Sequence, residues 1–468
     1  MQNKPSSFSR FFKESGALLH LSIPIILMQL ATQSMGFIDT TMAGQVSAAD
    51  LAAIALGTSL WLPVSLLLRG IIMALTPVVA YHRGAQSWIT CVSRLFQMLW
   101  LSAFVSAILI VYLLLGESIL IGLGVAPEII PIASDYVVAL AFGVPGIALF
   151  YTLNGFCEGM NNTRAPMLIS VIGLLVNIPV NYILIYGKFG MPALGAVGCG
   201  WATSLVYWLM SALLFSYIKR HHHYKNILHF AELKPVWQEI KQLFKLGMPI
   251  GLNIAVCGSI FAVIALLIGR IGAENVAAAQ IALNISSMTY MIQMSLSFGI
   301  TIRVGHALGE QKLETASLRS LVGIITAALL SLISVGFFLL FPEWIIRLYT
   351  TDPVVSATAA TLLMFTAMYQ FSDALQTSAN GALRGYKDTK IDDSGDSTYW
   401  GLALPLGMLL GITDEIVPAM GEEGFWIGIV TGLTTAAIAM LIRLTLVIKK
   451  YNQTAEVNTA SQPELAIQ

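Results

Sequence analysis

The chain is poor in charge. Of its 468 residues only 11% are Asp, Glu, Lys or Arg, under half of the roughly 25% usual in soluble domains. A water-facing globule of this length would have too little polar material to cover itself. The 25 Lys and Arg offset the 25 Asp and Glu, so there is no basic surplus of the kind that grips nucleic-acid phosphates. Cysteine is scarce too. Cys91, Cys157, Cys199 and Cys257 stand singly with no CxxC pair, which argues against a disulfide framework, a zinc site or redox chemistry. The sequence also lacks a GxxxxGK[ST] phosphate loop, an HExxH and a GxSxG, so ATP hydrolysis and the commonest membrane hydrolase chemistries have no parts to work with. Neither an enzyme nor a bound cofactor or metal is expected.

What the chain has instead is apolar length: 56% hydrophobic residues and a mean hydropathy of +0.77. A transmembrane helix needs about 20 apolar residues. Runs of that size, separated by Gly, Pro or charge, predict twelve spans near 17–40, 51–77, 95–116, 133–154, 166–186, 195–218, 244–269, 275–300, 320–341, 355–380, 398–413 and 424–448. The eleventh is the weakest, because Asp392, Asp393 and Asp396 crowd its start. The first contains Asp39 and no small-residue cleavage site, and so reads as a retained span instead of a secretory signal. Cytoplasmic loops carry the Lys/Arg excess. The even-numbered loops and both termini hold 21 of the 25 cations, the opposite side holds Lys188, Arg270 and Arg347, and Arg69 lies inside the second span. Both ends are therefore expected in the cytoplasm.

The twelve spans are two copies of six. Asn154-Gly155-Phe156-Cys157-Glu158-Gly159, running on to Asn162-Thr163-Arg164, reappears as Asn380-Gly381-Ala382-Leu383-Arg384-Gly385 with Asp388-Thr389-Lys390, an offset of 226 (380 minus 154). Pro24 answers Pro249, Gly84 and Gln86 answer Gly309 and Gln311, and Gly195 and Gly198 answer Gly421 and Gly424. An even number of spans per copy inserts both the same way up. The expected fold is an all-α membrane protein of two six-helix lobes related by a pseudo-twofold along the membrane normal. The lobes are 1–218 and 244–468, joined by a cytoplasmic linker at 219–243. His221, His222 and His223 in that linker read as a solvated loop, a metal role being the rarer alternative. The Gly pairs 155/159, 247/251, 407/411 and 428/432 are spaced for close helix packing.

Two such lobes form a cleft that opens alternately to each side, as in secondary transporters. Without ATP, an energised transporter draws on an ion gradient. One charge crossing about 150 mV is worth roughly 3.5 kcal/mol, enough for a few hundredfold concentration. Coupling requires an ionisable group in the bilayer, where an acid is costly and usually has a task. Asp39 in the first span and Asp373 in the tenth qualify, one in each half. Proton and cation would compete for such a carboxylate. The fifth span adds Asn177 and Asn181 one turn apart, flanking Pro179, whose missing N–H frees a backbone carbonyl. The sixth adds the hydroxyl of Thr203, and the eighth offers Gln280 and Asn284 at i,i+4. The plainer reading is that the acids cap or hydrogen-bond neighbours and that the amides hold the bundle together. The Met and aromatic residues are mostly filler, although such a wall also suits flat organic cations.

Together, Met35-Gly36-Phe37-Ile38-Asp39-Thr40 with Met42-Ala43-Gly44, Cys157-Glu158-Gly159, Asn177-Ile178-Pro179-Val180-Asn181-Tyr182, Thr301-Ile302-Arg303-Val304-Gly305 and Leu383-Arg384-Gly385-Tyr386-Lys387-Asp388-Thr389 resemble the multidrug and toxic compound extrusion (MATE) transporters of the bacterial NorM type, from Leu21 to Leu446. The resemblance implies export of small cationic, amphipathic drugs and dyes from the bacterial inner membrane by a monomeric antiporter, in exchange for H+ or Na+. It implies a coupling site at Asp39, Asn177, Asn181 and Thr203, and a C-lobe site at Asp373 and Tyr369 that some members use for sodium. Sodium-coupled relatives place a Glu in the seventh span, where Gly251-Leu252-Asn253-Ile254-Ala255-Val256-Cys257-Gly258 has none. That lost oxygen charge favours H+ over Na+, with Na+ at Asp39 or Asp373 as the alternative. A lipid-linked flippase on the same architecture is a further transport reading. An intramembrane enzyme with Asp39 or Asp373 as acid or base would want accompanying His or metal ligands, and the seven His lie at loops or helix ends. The residues at Ile391-Asp392-Asp393-Ser394-Gly395-Asp396 depart from the apolar ones of relatives.

Overall fold

The computed structural model describes residues 7–122, 125, 127–221, 234–268, 273–350, 352–388, 399–413, 418 and 420–460. Their regular structure is helical throughout. The first half contains α1 (Ser7–Gly44), α2 (Ala48–Met73), α3 (Leu75–Gly84), α4 (Trp88–Leu114), the short α5 (Gly116–Gly122), α6 (Ile130–Gly159), α7 (Arg164–Tyr186) and α8 (Ala196–Arg220). The second contains α9 (Trp237–Ile268), α10 (Ala273–Gly309), α11 (Leu313–Leu340), the short α12 (Pro342–Arg347), α13 (Pro353–Gly385), a π-helical turn (Tyr399–Ala403) leading into α14 (Leu404–Gly411), and α15 (Glu422–Ala460). With α2 and α3 taken as one span, and the π turn with α14 as another, twelve membrane-crossing elements result, at the places expected. Nine are long and apolar enough by composition to cross a bilayer over their described residues. Exposed Phe104, Leu175, Ile333 and Met368 suit helices whose outer faces meet acyl chains. His222, His223 and the acidic start of the eleventh span lie outside the described residues.

Local chemistry sets the helix ends. Ser47 caps α2, its hydroxyl accepting from the Asp50 amide at 3.0 Å. Asp352 caps α13, its Oδ1 accepting from Val354 N at 2.8 Å and Val355 N at 3.2 Å. Asp50 Oδ1 accepts from the first amide of α8, Ala196, at 2.7 Å. Each cap of this kind is worth about 1 kcal/mol.

The duplication read from the sequence is present in the backbone. Gln86 and Gln311 hold left-handed φ of 57° and 59°, and Asn161 and Lys387 both hold 59°. Such angles are unfavourable for residues with a Cβ, by about 1 kcal/mol, yet they recur at the same place in each copy. The accompanying hydrogen bonds recur as well: Asn162 N to Cys157 O at 2.8 Å answers Asp388 N to Leu383 O at 3.0 Å, and Leu194 N to Leu184 O at 3.0 Å answers Met420 N to Leu410 O at 2.9 Å. Packing repeats too. A Cβ on Gly159 would meet Val79 and the Thr76 carbonyl, and one on Gly385 would meet Val304 and the Thr301 carbonyl. These glycines allow α6 to approach α3, and α13 to approach α10, backbone to backbone.

Contacts divide the chain into two compact units, Ile23–Ala255 and Met1–Ser22 with Val256–Gln468. The first is built on a core that includes Leu75, Met98, Phe150 and Phe156. It takes in the start of α9, where a Cβ on Gly251 would come 2.7 Å from the Leu67 carbonyl. The second centres on Trp426, Phe425 and Tyr369, with Trp426 Nε1 donating to Thr366 at 3.2 Å. It takes in the start of α1, where Glu14 pairs with Arg303 and, at 3.4 Å, with Arg319. The contact-defined units thus differ from the repeat-derived boundaries at two helical segments, 7–22 and 237–255, each entering the unit of the other copy.

Candidate functional site

Three helices of the first unit converge on one carboxyl group. Asp39 sits five residues before the end of α1, 8% exposed. Its Oδ1 accepts from Asn181 Nδ2 at 2.5 Å and from Asn177 Nδ2 at 3.3 Å, and its Oδ2 accepts from Thr203 Oγ1 at 2.6 Å. Asn177 and Asn181 are fully buried and also bond each other, Asn181 Nδ2 to Asn177 Oδ1 at 3.0 Å. The i,i+4 spacing puts both amides on one face of α7, and Pro179 between them cannot donate to the carbonyl one turn back. Thr203 comes from α8, which also sends the Cys199 thiol to the backbone carbonyl of Asp39 at 3.4 Å. The four residues expected for the coupling site are therefore brought together.

Among the described residues, every side-chain donor on Asp39 is neutral. A hydroxyl donates or accepts, so Thr203 can give its hydrogen to an ionised Oδ2 or receive one from a protonated Oδ2, while the amide N–H groups remain on Oδ1. The site can therefore hold the carboxyl charged or uncharged without losing a hydrogen bond. Asn181 Oδ1, buried and without a partner, is a further oxygen of the cluster left to accept.

The second half is arranged differently. Asp373 on α13 is also buried, and its one side-chain hydrogen bond among the described residues comes from Thr377 Oγ1, one turn on, at 3.5 Å. Tyr369 is buried, but its hydroxyl donates across to Ser286 of α10 at 2.7 Å. Gln280 and Asn284 are exposed on α10; no hydrogen bond joins them to Asp373 or Tyr369.

Two buried polar groups went unassigned in the sequence. Glu158 on α6, 3% exposed, accepts from Asn154 Nδ2 at 3.0 Å; its signal was the i,i+4 Asn–Glu pair inside the repeated motif. Gln370 on α13 and Gln293 on α10 are buried together, Gln293 Nε2 donating to the Gln370 carbonyl at 3.3 Å. The Gln370 side-chain amide has no partner. Gln370 lies within the Tyr369–Asp373 string that drew attention to Asp373 itself.

A family model, MatE, matches residues 24–183 and 249–392. Its two segments begin at Pro24 and Pro249, an offset of 225 (249 minus 24), within one residue of that of the repeated Asn-Gly motif. The chain is similar to "Multidrug resistance protein MdtK" of Yersinia enterocolitica serotype O:8 / biotype 1B, at 43% identity over 93% of this chain and 96% of that protein. The protein of the same name from Yersinia pseudotuberculosis serotype O:1b gives the same figures. Among solved structures, "Crystal structure of MATE in the bent conformation" aligns with a TM-score of 0.85 at 20% identity, over 97% of this chain and all of that one. "Crystal structure of eukaryotic MATE transporter AtDTX14" aligns with a TM-score of 0.84 at 19% identity, over 95% and 99%. The fold expected from the spans and the repeat is thus the fold of known MATE transporters.

Proposed function

This chain belongs to the MatE family, and on that premise we propose that it is a multidrug efflux antiporter, exporting cationic amphipathic drugs and dyes in exchange for H+ by alternating access. It is a transporter and not an enzyme. In this reading Asp39 alternates between a proton and the positive charge of the substrate. Asn177 and Asn181 hold its Oδ1, and Thr203 switches between donor and acceptor at Oδ2. The protein works as a monomer in the inner membrane of a bacterium, with both termini in the cytoplasm.

One observation carries the proposal: a buried acid with three neutral donors, one of them a reversible hydroxyl. A carboxyl paired with Lys or Arg would be held ionised, whereas this one is free to change charge. Sodium at the same place is the second reading. It is favoured by the unpartnered Asn181 Oδ1, which with Asp39 supplies oxygens a hard cation accepts.

Proteoliposomes loaded with a cationic dye separate the two. A pH gradient alone drives dye movement in sodium-free buffer on the proton reading, and Asp39→Asn abolishes it. Flux that follows a sodium gradient and ignores pH would overturn the choice of ion.

A further inference from the structure

The first unit contains a second polar cluster, built around a cation. Arg69 lies on α2 within the span Ala49–Gly84, 15 residues from its nearer end (84 minus 69), or about 22 Å at 1.5 Å per residue. The span is longer than the roughly 30 Å hydrocarbon core, so its middle lies within the bilayer, and a guanidinium there is costly unless it has a task. Its guanidinium carbon stands 4.5 Å from the centre of the Tyr151 ring on α6. Its one hydrogen bond among the described residues goes to a neutral acceptor, Gln29 Oε1 on α1, at 3.3 Å. The Tyr151 hydroxyl is 3.4 Å from that of Tyr207 on α8, their rings tilted at 42° with centres 6.2 Å apart.

No carboxylate among the described residues pairs with Arg69, although a guanidinium carries five N–H donors in a fork that matches a carboxylate. The scaffold does not demand the arginine. At the repeat offsets of 225 and 226, the positions answering Gln29, Arg69, Tyr151 and Tyr207 are Ile254, Met294, Thr377 and Leu433. The second copy makes the same fold with none of this polar set. A planar cation set on one aromatic ring, with a second ring beside the first, in the same unit as a buried acid, has the components to receive an aromatic molecule that bears an acid group as well as an amine.

We propose that Arg69 is a specificity-determining residue, its guanidinium binding the carboxylate of amphipathic aromatic substrates while Tyr151 and Tyr207 pack against their rings. The inference rests on the drug-transport reading and concerns a different charge on the substrate from the one assigned to Asp39.

The test uses a rhodamine-type dye with a free benzoate carboxyl and the same dye as its methyl ester, in proteoliposomes of the full chain. Arg69→Gln lowers the ratio of acid-dye to ester transport about tenfold, the size of a lost charge-assisted hydrogen bond, and Arg69→Lys restores the ratio to within about threefold. Binding in detergent gives a check that needs no variant: benzoate displaces the acid dye from the unaltered protein and leaves the ester bound. Equal loss of both dyes in Arg69→Gln overturns the proposal, as does an unchanged ratio or equal displacement by benzoate. If the unaltered protein moves neither dye, the transport reading itself falls and takes this inference with it.

Discussion

Asp39 in the first half and Ile264 in the second stand at equivalent places, each 15 residues after a helix proline, Pro24 or Pro249. The same substitution of character runs through the site. Asn177, Asn181 and Thr203 are answered, at an offset of 226, by Ala403, Gly407 and Ile429, although Pro179 is answered by Pro405. In the other direction Asp373 and Gln370 are answered by Ile147 and Val144. Turns, left-handed residues and glycine contacts are held in both copies, while among the described residues the surroundings of Asp39 and of Asp373 are each found in one. The difference teaches that the duplicated part is a scaffold, and on the proposed reading charge exchange falls to the lobe where several donors meet on one acid.

The comparison breaks first at the acids. Asp39→Asn keeps hydrogen-bonding capacity and removes the exchangeable charge, so gradient-driven dye transport should fall by at least about a hundredfold while the melting temperature moves little. Asp373→Asn, at a carboxyl with one long side-chain hydrogen bond among the described residues, should lower transport by less than about threefold. Parallel flux assays on both variants check this. A larger loss at Asp373 than at Asp39 would reverse the assignment of the working lobe.

The scaffold side of the comparison should be symmetric. Gly159→Ala places a methyl 2.7 Å from Val79 Cβ, and Gly385→Ala places one 2.8 Å from Val304 Cβ. Overpacking of this kind costs about 1–3 kcal/mol, and the two variants should lose comparable thermal stability in detergent. A large loss in one alone would show that the copies do not share their packing duty.

Within the first-half site the next effect is smaller. Thr203→Val keeps the shape and removes the hydroxyl that serves both states of Asp39, which should slow pH-driven flux about tenfold, the cost of a hydrogen bond to a charged group. Thr203→Ser should stay within about twofold of the parent. Equal loss in Ser and Val would make the methyl group, not the hydroxyl, the functional part.

Much of this was legible before any coordinates, for physical reasons. Spans declare themselves by length and hydropathy, and the repeat by its spaced glycines and prolines. The Asp39 cluster was legible because polar groups are rare in these spans, and the i,i+4 spacing of Asn177 and Asn181 fixes one face whichever way α7 is turned. The spacing of Gln280 and Asn284 defined a face just as well but not the direction it points. On α10 the small and branched residues Ala278, Ala279, Ile281, Ala282 and Ile285 take the buried side, and that packing turns both amides outward. Tyr369 shows the same limit: it shares a face with Asp373, yet the length of its side chain carries the hydroxyl over to Ser286. The motif that holds Glu158 marks the repeat, and nothing in its spacing tells that the acid is buried.

The smallest expected difference lies at one more equivalent pair of places, where the copies make the same tie with different chemistry. Asn162 Nδ2 donates to the Tyr217 hydroxyl at 2.8 Å. At the offset of 226, Asp388 Oδ2 accepts from Arg443 Nη2 at 2.9 Å and Nε at 3.1 Å. The neutral tie is insensitive to salt, so Tyr217→Phe should cost about 1 kcal/mol at any ionic strength. The charged tie has an arginine 36% exposed, and water and ions screen it, so Arg443→Gln should cost less than about 1 kcal/mol at low salt and still less in molar salt. Thermal melts of both variants at two salt concentrations check the contrast. A salt response at Tyr217 equal to that at Arg443 would mean that the position, and not the charge, sets the strength of the tie.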